Sequence, residues 1–194
     1  RELPGRHANP PDEVLAGPCY LGRQAHEHDG AFNYWGSRRF SSLYVDLFRR
    51  ERKAQGQFPM TRTPVREQGM TEAFFDPSYA VDMRQASEYF IQNLVAARNG
   101  TPRHTGPTAL FHSFYRAGYD WLGAELMYGP DAVVLSSLRG ASKAVGKTDY
   151  GAHLAMQWSS SPQDTPAHAA RYFLALATAF LHGARQINLE EGLW

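Results

Sequence analysis

Cysteine is nearly missing from this chain. Cys19 is the single one, which excludes an intramolecular disulfide and any zinc site built on thiolates. Its neighbours Tyr20 and Leu21 place it in an expected strand, so it is read as core. No stretch reaches the roughly 20 apolar residues of a membrane-spanning helix, and no membrane role is expected. An excess of one charge is also lacking, since 20 Lys and Arg face 19 Asp and Glu. The one basic cluster, Arg49 to Lys53, reads as a solvated helix end at the negative pole of the helix dipole. Nucleic acid is therefore not the expected partner; a neutral or weakly charged small molecule is. No signal-peptide pattern opens the chain. It starts on Arg1 rather than Met, however, so the natural amino terminus and the leader of a secreted protein are expected to lie outside it.

What is present is an alternation of strand and helix patterns. Residues 1–17 form an irregular lead-in containing Pro4, Pro10 and Pro11. A first strand is expected over 19–27, ending in the polar run His26-Glu-His-Asp-Gly. Residues 38–54 carry Phe40, Leu43, Tyr44, Leu47 and Phe48 at helical spacing, with Gly56 as the stop. A long loop over 57–77, holding Pro59, Pro64 and Gly69, is expected to hide one short strand near 71–75. Asp76-Pro77 then caps a helix that runs to Gly100.

After a proline-bearing loop, 108–115 reads as a strand from its aromatic content. The rhythm then becomes regular: strand 119–126, helix 132–145, strand 152–158, helix 167–182 and strand 186–190. Such alternation predicts right-handed βαβ units and a parallel sheet. The expectation is one α/β domain over 1–194, a partial or incomplete (β/α)8 barrel, since a complete barrel needs about 250 residues. The last helix, with Tyr172, Phe173, Leu174, Leu176, Phe180 and Leu181, leaves few polar positions. It is expected to be covered on more than one side, or to form a subunit contact.

In parallel β/α folds chemistry gathers at the carboxyl ends of strands. Those ends carry His26 and His28, then Glu125, then Gln157 and Trp158, and finally Glu190 with Glu191. Glu125 lies among apolar and small residues, where burial would raise its pKa and suit a general acid. The bland alternative is a salt bridge to Arg116 or Arg139. Alternation of faces puts Gln186, Asn188 and Glu190 on the polar side of the last strand and Glu191 with Ile187 and Leu189. Glu190 is therefore the second candidate carboxylate, against the alternative that both glutamates only cap the next loop. Trp35 and Trp158 are the aromatics best placed to stack on a pyranose ring, although most aromatics fill cores.

Together, Gln24-Ala-His-Glu-His28, Gly123-Ala-Glu-Leu-Met127, His153-Leu-Ala-Met-Gln-Trp158 and Gln186-Ile-Asn-Leu-Glu-Glu-Gly192 resemble the strand ends of a β/α-barrel glycoside hydrolase over residues 19–194. Glu125 follows Ala124 and Glu190 follows Leu189, where the large retaining clan sets Asn before its acid/base. The resemblance implies hydrolysis of glycosidic bonds in a carbohydrate substrate. Glu125 and Glu190 would be the catalytic pair, with either as acid, and His26, His28, Trp35, Gln157, Trp158 and Asn188 would hold the sugar. It calls for no metal and no cofactor, and it leaves room for an oligomer or partner chain that completes the barrel.

Two other classes compete. His26-x-His28 resembles the first metal-binding strand of barrel amidohydrolases, because imidazoles two apart on a strand share a face, and His112 and His153 follow in later strands. A non-catalytic carbohydrate-binding module is the third reading.

Overall fold

The computed structural model describes residues 11–22, 24–28, 60–61, 74–75, 80–98, 100–127, 129–159 and 165–190. The expected helix over 38–54, its stop Gly56, the Asp76-Pro77 cap and Trp35 lie outside the described residues.

In chain order the elements are α1 (Asp12–Leu15), β1 (Gln24–His26), β2 (Met60–Thr61), β3 (Phe74–Phe75), α2 (Met83–Arg98), β4 (Arg103–Thr105), α3 (Phe111–Arg116), β5 (Trp121–Leu126), α4 (Asp131–Ala144), β6 (Gly151–Leu154), a 3-10 turn (Met156–Trp158), α5 (Pro166–Leu181) and β7 (Gln186–Leu189). Five strands form one all-parallel sheet in the order β1-β4-β5-β6-β7, curled into a half-barrel with helices between the strands. β2 and β3 pair antiparallel as a separate small sheet. In the large sheet neighbours in space are neighbours in the chain. Each crossover therefore steps the same way, and right-handed crossovers then lay their helices on one face.

The two faces of the sheet are chemically opposite. Toward the helices, β5 sends Leu122, Ala124 and Leu126, and β6 sends Ala152 and Leu154. These pack with Leu135 and Leu138 of α4 and Ala175 and Ala179 of α5 in the hydrophobic core. The intervening positions, Trp121, Gly123 and Glu125 on β5 and Gly151 and His153 on β6, face the concave side. All six residues of β5 are buried, so both faces of this strand are covered.

Local sequence explains the regular half. Thr165 caps α5, its hydroxyl accepting from the His168 N–H at 3.2 Å, and Pro166 supplies a preset φ in the first turn. Gly183, at φ 86°, takes the left-handed conformation that ends the helix. Asp131, buried at the start of α4, accepts from both terminal nitrogens of Arg171 on α5, one bond measuring 2.9 Å. This fork ties two adjacent helices together.

The less regular half departs from expectation in several places. Residues 108–115 are not a strand; α3 occupies Phe111–Arg116. The aromatics that suggested a strand are spaced i, i+3, i+4 as Phe111, Phe114 and Tyr115, and all three are buried on one helical face. The strand of this unit is β4, three residues between Pro102 and Gly106-Pro107, where no apolar alternation marks it. β1 is shorter than expected, and Cys19 is exposed in the turn after α1 rather than in the core. The lead-in contains that one helical turn. β6 ends at Leu154, so Gln157 and Trp158 belong to the following 3-10 turn. α2 starts at Met83, with the Asp82 carboxylate accepting from the Gln85 N–H at 2.7 Å as its cap. The expected short strand near 71–75 corresponds to β3.

α5 is covered on one side only within the described residues. Phe173, Leu174, Phe180 and Leu181 are all more than half exposed, while Ala175 and Ala179 carry the buried face.

A candidate active site on the concave face

The site rests on an indole floor. Trp121, at the start of β5, is 3% exposed, and the Arg103 guanidinium stacks 3.9 Å from its ring centroid. The indole crosses the concave face over β5 and β6. A Cβ on Gly151 would collide with that ring, and one on Gly123 would lie 3.0 Å from it and 2.8 Å from the Thr105 methyl. Only glycine at these two positions therefore admits the indole. Above it, in the same register, stand Glu125 and His153, with Asn188 beside them on β7.

Four strands deliver one donor group each to this upper layer. Side-chain donor atoms of His26, Glu125, His153 and Glu190 all lie within 4.8 Å of one another. The backbone fixes where they sit. Glu125 N–H donates to the Pro107 carbonyl at 3.0 Å, and Glu190 N–H donates to the Leu154 carbonyl at 3.0 Å, extending the ladder one step past β7. Glu125 is 4% exposed and His153 6%, whereas the Glu190 side chain keeps 29% of its surface. The cluster is walled on one side and open on the other.

Hydrogen bonds hold Glu190 from both oxygens. His153 Nε2 lies 3.2 Å from Oε2, and the Trp158 indole N–H donates to Oε1 at 3.1 Å. Burial and the neighbouring His26 lower the His153 pKa, only partly offset by Glu190. The imidazole is thus neutral near pH 7, and its contact with Glu190 is a hydrogen bond rather than an ion pair. The His26 and His153 rings stand 4.6 Å apart between centroids. His26 Nδ1 lies 3.1 Å from the Thr105 hydroxyl, which also accepts from the Gln24 amide at 3.1 Å. Asn188 Nδ2 reaches Gln24 Oε1 at 3.3 Å, joining the polar faces of β7 and β1 across the sheet.

His28 goes elsewhere. Glu27 adopts φ 50°, which ends the strand and breaks the two-residue alternation that would have aligned His26 and His28. The His28 N–H donates to His104 Nε2 at 3.0 Å, and its ring bonds the Tyr119 hydroxyl at 2.8 Å. His104 is fully buried beside Phe114 and Tyr119. Burial, reinforced by His26, lowers the His28 pKa to about 4, and burial with the neighbouring imidazoles drives that of His104 well below the ordinary value. The pair His26-x-His28 therefore does not share one ion.

Of the residues expected at the site, the structure brings together His26, Glu125, Glu190, Trp158 and Asn188. It sets His28 apart and places Gln157 on the turn that carries Trp158. Arg116, the alternative partner for Glu125, pairs with Glu88 at 2.8 Å. Thr105, Gln24 and Trp121 were not among the expected site residues, and His153 was expected only as a later-strand imidazole of the metal-dependent alternative. A signal for His153 was available: Gly151-Ala-His153 repeats the spacing of Gly123-Ala-Glu125, a glycine two residues before a polar group.

Compared with family models, with curated proteins and with solved structures, the chain finds no match.

Proposed function

We propose that the protein hydrolyses glycosidic bonds with Glu125 and Glu190 as its catalytic pair, on a half-barrel that forms part of a (β/α)8 architecture. The observation that carries this reading is the convergence of two carboxylates, from β5 and from the end of β7, with donor oxygens within 4.8 Å on one concave face. Retaining glycosidases set their two carboxyl groups about 5–5.5 Å apart, and inverting ones farther, to admit water. The closer spacing favours retention.

The surroundings separate the two roles. Glu190 receives the Trp158 N–H on Oε1 and, with His153 in its Nε2–H tautomer, a second N–H on Oε2. Such donors orient a carboxylate and support its negative charge, which is what a nucleophile attacking an anomeric carbon requires. Glu125 is walled by β4 and β6 and is the proton donor to the departing oxygen, then the base that activates water. Exposed Trp158, 58% accessible, offers an apolar face beside Glu190 for a sugar ring. His26 and Asn188 supply hydrogen bonds to hydroxyl groups.

The test is hydrolysis of a panel of α- and β-configured aryl glycosides by the wild type and by Glu125→Gln and Glu190→Gln. Release of the phenol by the wild type, with each variant slowed at least about 10³-fold and still folded by circular dichroism, is the expected result. Near-normal turnover by either variant removes that residue from the mechanism.

A further inference from the structure

Two imidazoles and two carboxylates within 4.8 Å are more than a sugar-cleaving pair needs, and the donor set has a chemistry of its own. Imidazole nitrogen with carboxylate oxygen is a borderline set, suited to zinc-type divalent ions rather than to calcium or magnesium, which take oxygen alone. Bonds of about 2.1 Å in a tetrahedron place ligand atoms about 3.4 Å apart. The His153–Glu190 contact, at 3.2 Å, already has that spacing.

The surroundings of the cluster give an independent indication. A histidine that holds a metal ordinarily gives its other ring N–H to an oxygen, which fixes the ring and its tautomer. His26 Nδ1 lies 3.1 Å from Thr105 Oγ1, and that hydroxyl has the Ala25 carbonyl as an acceptor at 3.4 Å. With Thr105 donating to Ala25, it accepts the Nδ1–H of His26 and leaves Nε2 with its lone pair. Trp158 occupies Oε1 of Glu190, and Oε2 faces His153 Nε2 at 3.2 Å, so an ion between them takes the place of that one hydrogen bond.

We infer that His26, Glu125, His153 and Glu190 bind one divalent transition-metal ion of the zinc type, and that the ion and the sugar exclude one another. The binding site stands on the geometry alone; the exclusion rests on the glycosidase reading, because the ion engages both catalytic carboxylates. The ion is thus a reversible inhibitor and not a participant in hydrolysis.

The test is calorimetric titration of Zn²⁺ into chelator-treated protein without substrate, followed by aryl-glycoside turnover at the same ion concentrations. One equivalent is expected to bind in the micromolar range, weakened at least about tenfold in His26→Ala and in His153→Ala, and severalfold in Thr105→Val, which spares all four ligands. Turnover is expected to fall as the site fills and to return with chelator. Absence of binding at millimolar Zn²⁺, or equally tight binding by a folded His26→Ala/His153→Ala double variant, overturns the site. Turnover that needs zinc upholds the site and overturns its inhibitory role. Zinc binding in a protein that cleaves no glycoside upholds the site while the glycosidase reading fails.

Discussion

The two faces of β5 differ by one residue in phase and by everything in chemistry. Leu122, Ala124 and Leu126 pack under the helices, while Trp121, Gly123 and Glu125 form the concave side. One face is assembled by volume: its residues are apolar, close-packed and exchangeable only at the cost of cavities. The other is assembled by placement. The Trp121 indole fills the space that Gly123 and Gly151 leave, and Glu125 and His153 stand in the layer beyond it. On the proposed reading the same strand supplies stability with its even-numbered residues and chemistry with its odd-numbered ones, and mutations on the two faces should separate these properties.

The largest separation is expected from Glu190→Ala. Loss of the proposed nucleophile should lower turnover at least about 10³-fold with little change in melting temperature, and azide should restore reaction by forming the glycosyl azide. Glu125→Ala should instead release a rapid first equivalent of phenol from substrates with good leaving groups, which need no protonation, and then turn over slowly because no base activates water. Equal behaviour of the two variants on such substrates would merge the roles.

On the helix side, Leu138→Ala should cost about 2–5 kcal/mol of stability, as Leu138 is fully buried between sheet and helix. Chemical denaturation measures this. Turnover of the remaining folded protein should be nearly unchanged, and a parallel loss of turnover would show that the faces are not independent.

A pH titration of stability sharpens the contrast further. His28 and His104 have folded pKa values below the unfolded value of about 6.5. Their contribution to stability is therefore fully present above about pH 6.5, and it is lost as pH falls toward about 4, where His28 takes up its proton. His28 alone should lower the unfolding free energy by on the order of 3 kcal/mol across that window, and His104 should add to the drop. His104→Leu should flatten the slope, and an unchanged slope would assign it to other groups.

The smallest effect is expected from Trp158→Phe, which keeps an aromatic face and removes one N–H from Glu190. A net contribution of about 1 kcal/mol for that bond predicts roughly a fivefold loss in kcat/KM. A steady-state comparison on one aryl glycoside tests it.

How much of this was legible in the sequence follows from the same contrast. The later βα units could be read because each carries its own signals: Thr165-Pro166 before α5, Gly183 after it, and apolar alternation in β5. Glu190 could be placed because β7 has one apolar and one polar face. β4 could not, because Arg103-His-Thr105 has no alternating pattern and is a strand only through its neighbours β1 and β5. The aromatics of α3 carried helical spacing, but their composition pointed toward a strand. His153 was legible as a later-strand imidazole, but its place beside Glu125 follows only from the register of β6 on β5. The His26-x-His28 pair misled for a local reason: alternation holds only while the strand continues, and Glu27 ends it.

The account turns on the concave face holding a nucleophile, and a mechanism-based label addresses that most directly. Incubation with activated 2-deoxy-2-fluoroglycosides, followed by peptide mapping by mass spectrometry, should find one sugar per chain, esterified to Glu190. A label on another residue, or steady hydrolysis through a covalent intermediate that leaves Glu190 unmodified, would contradict it.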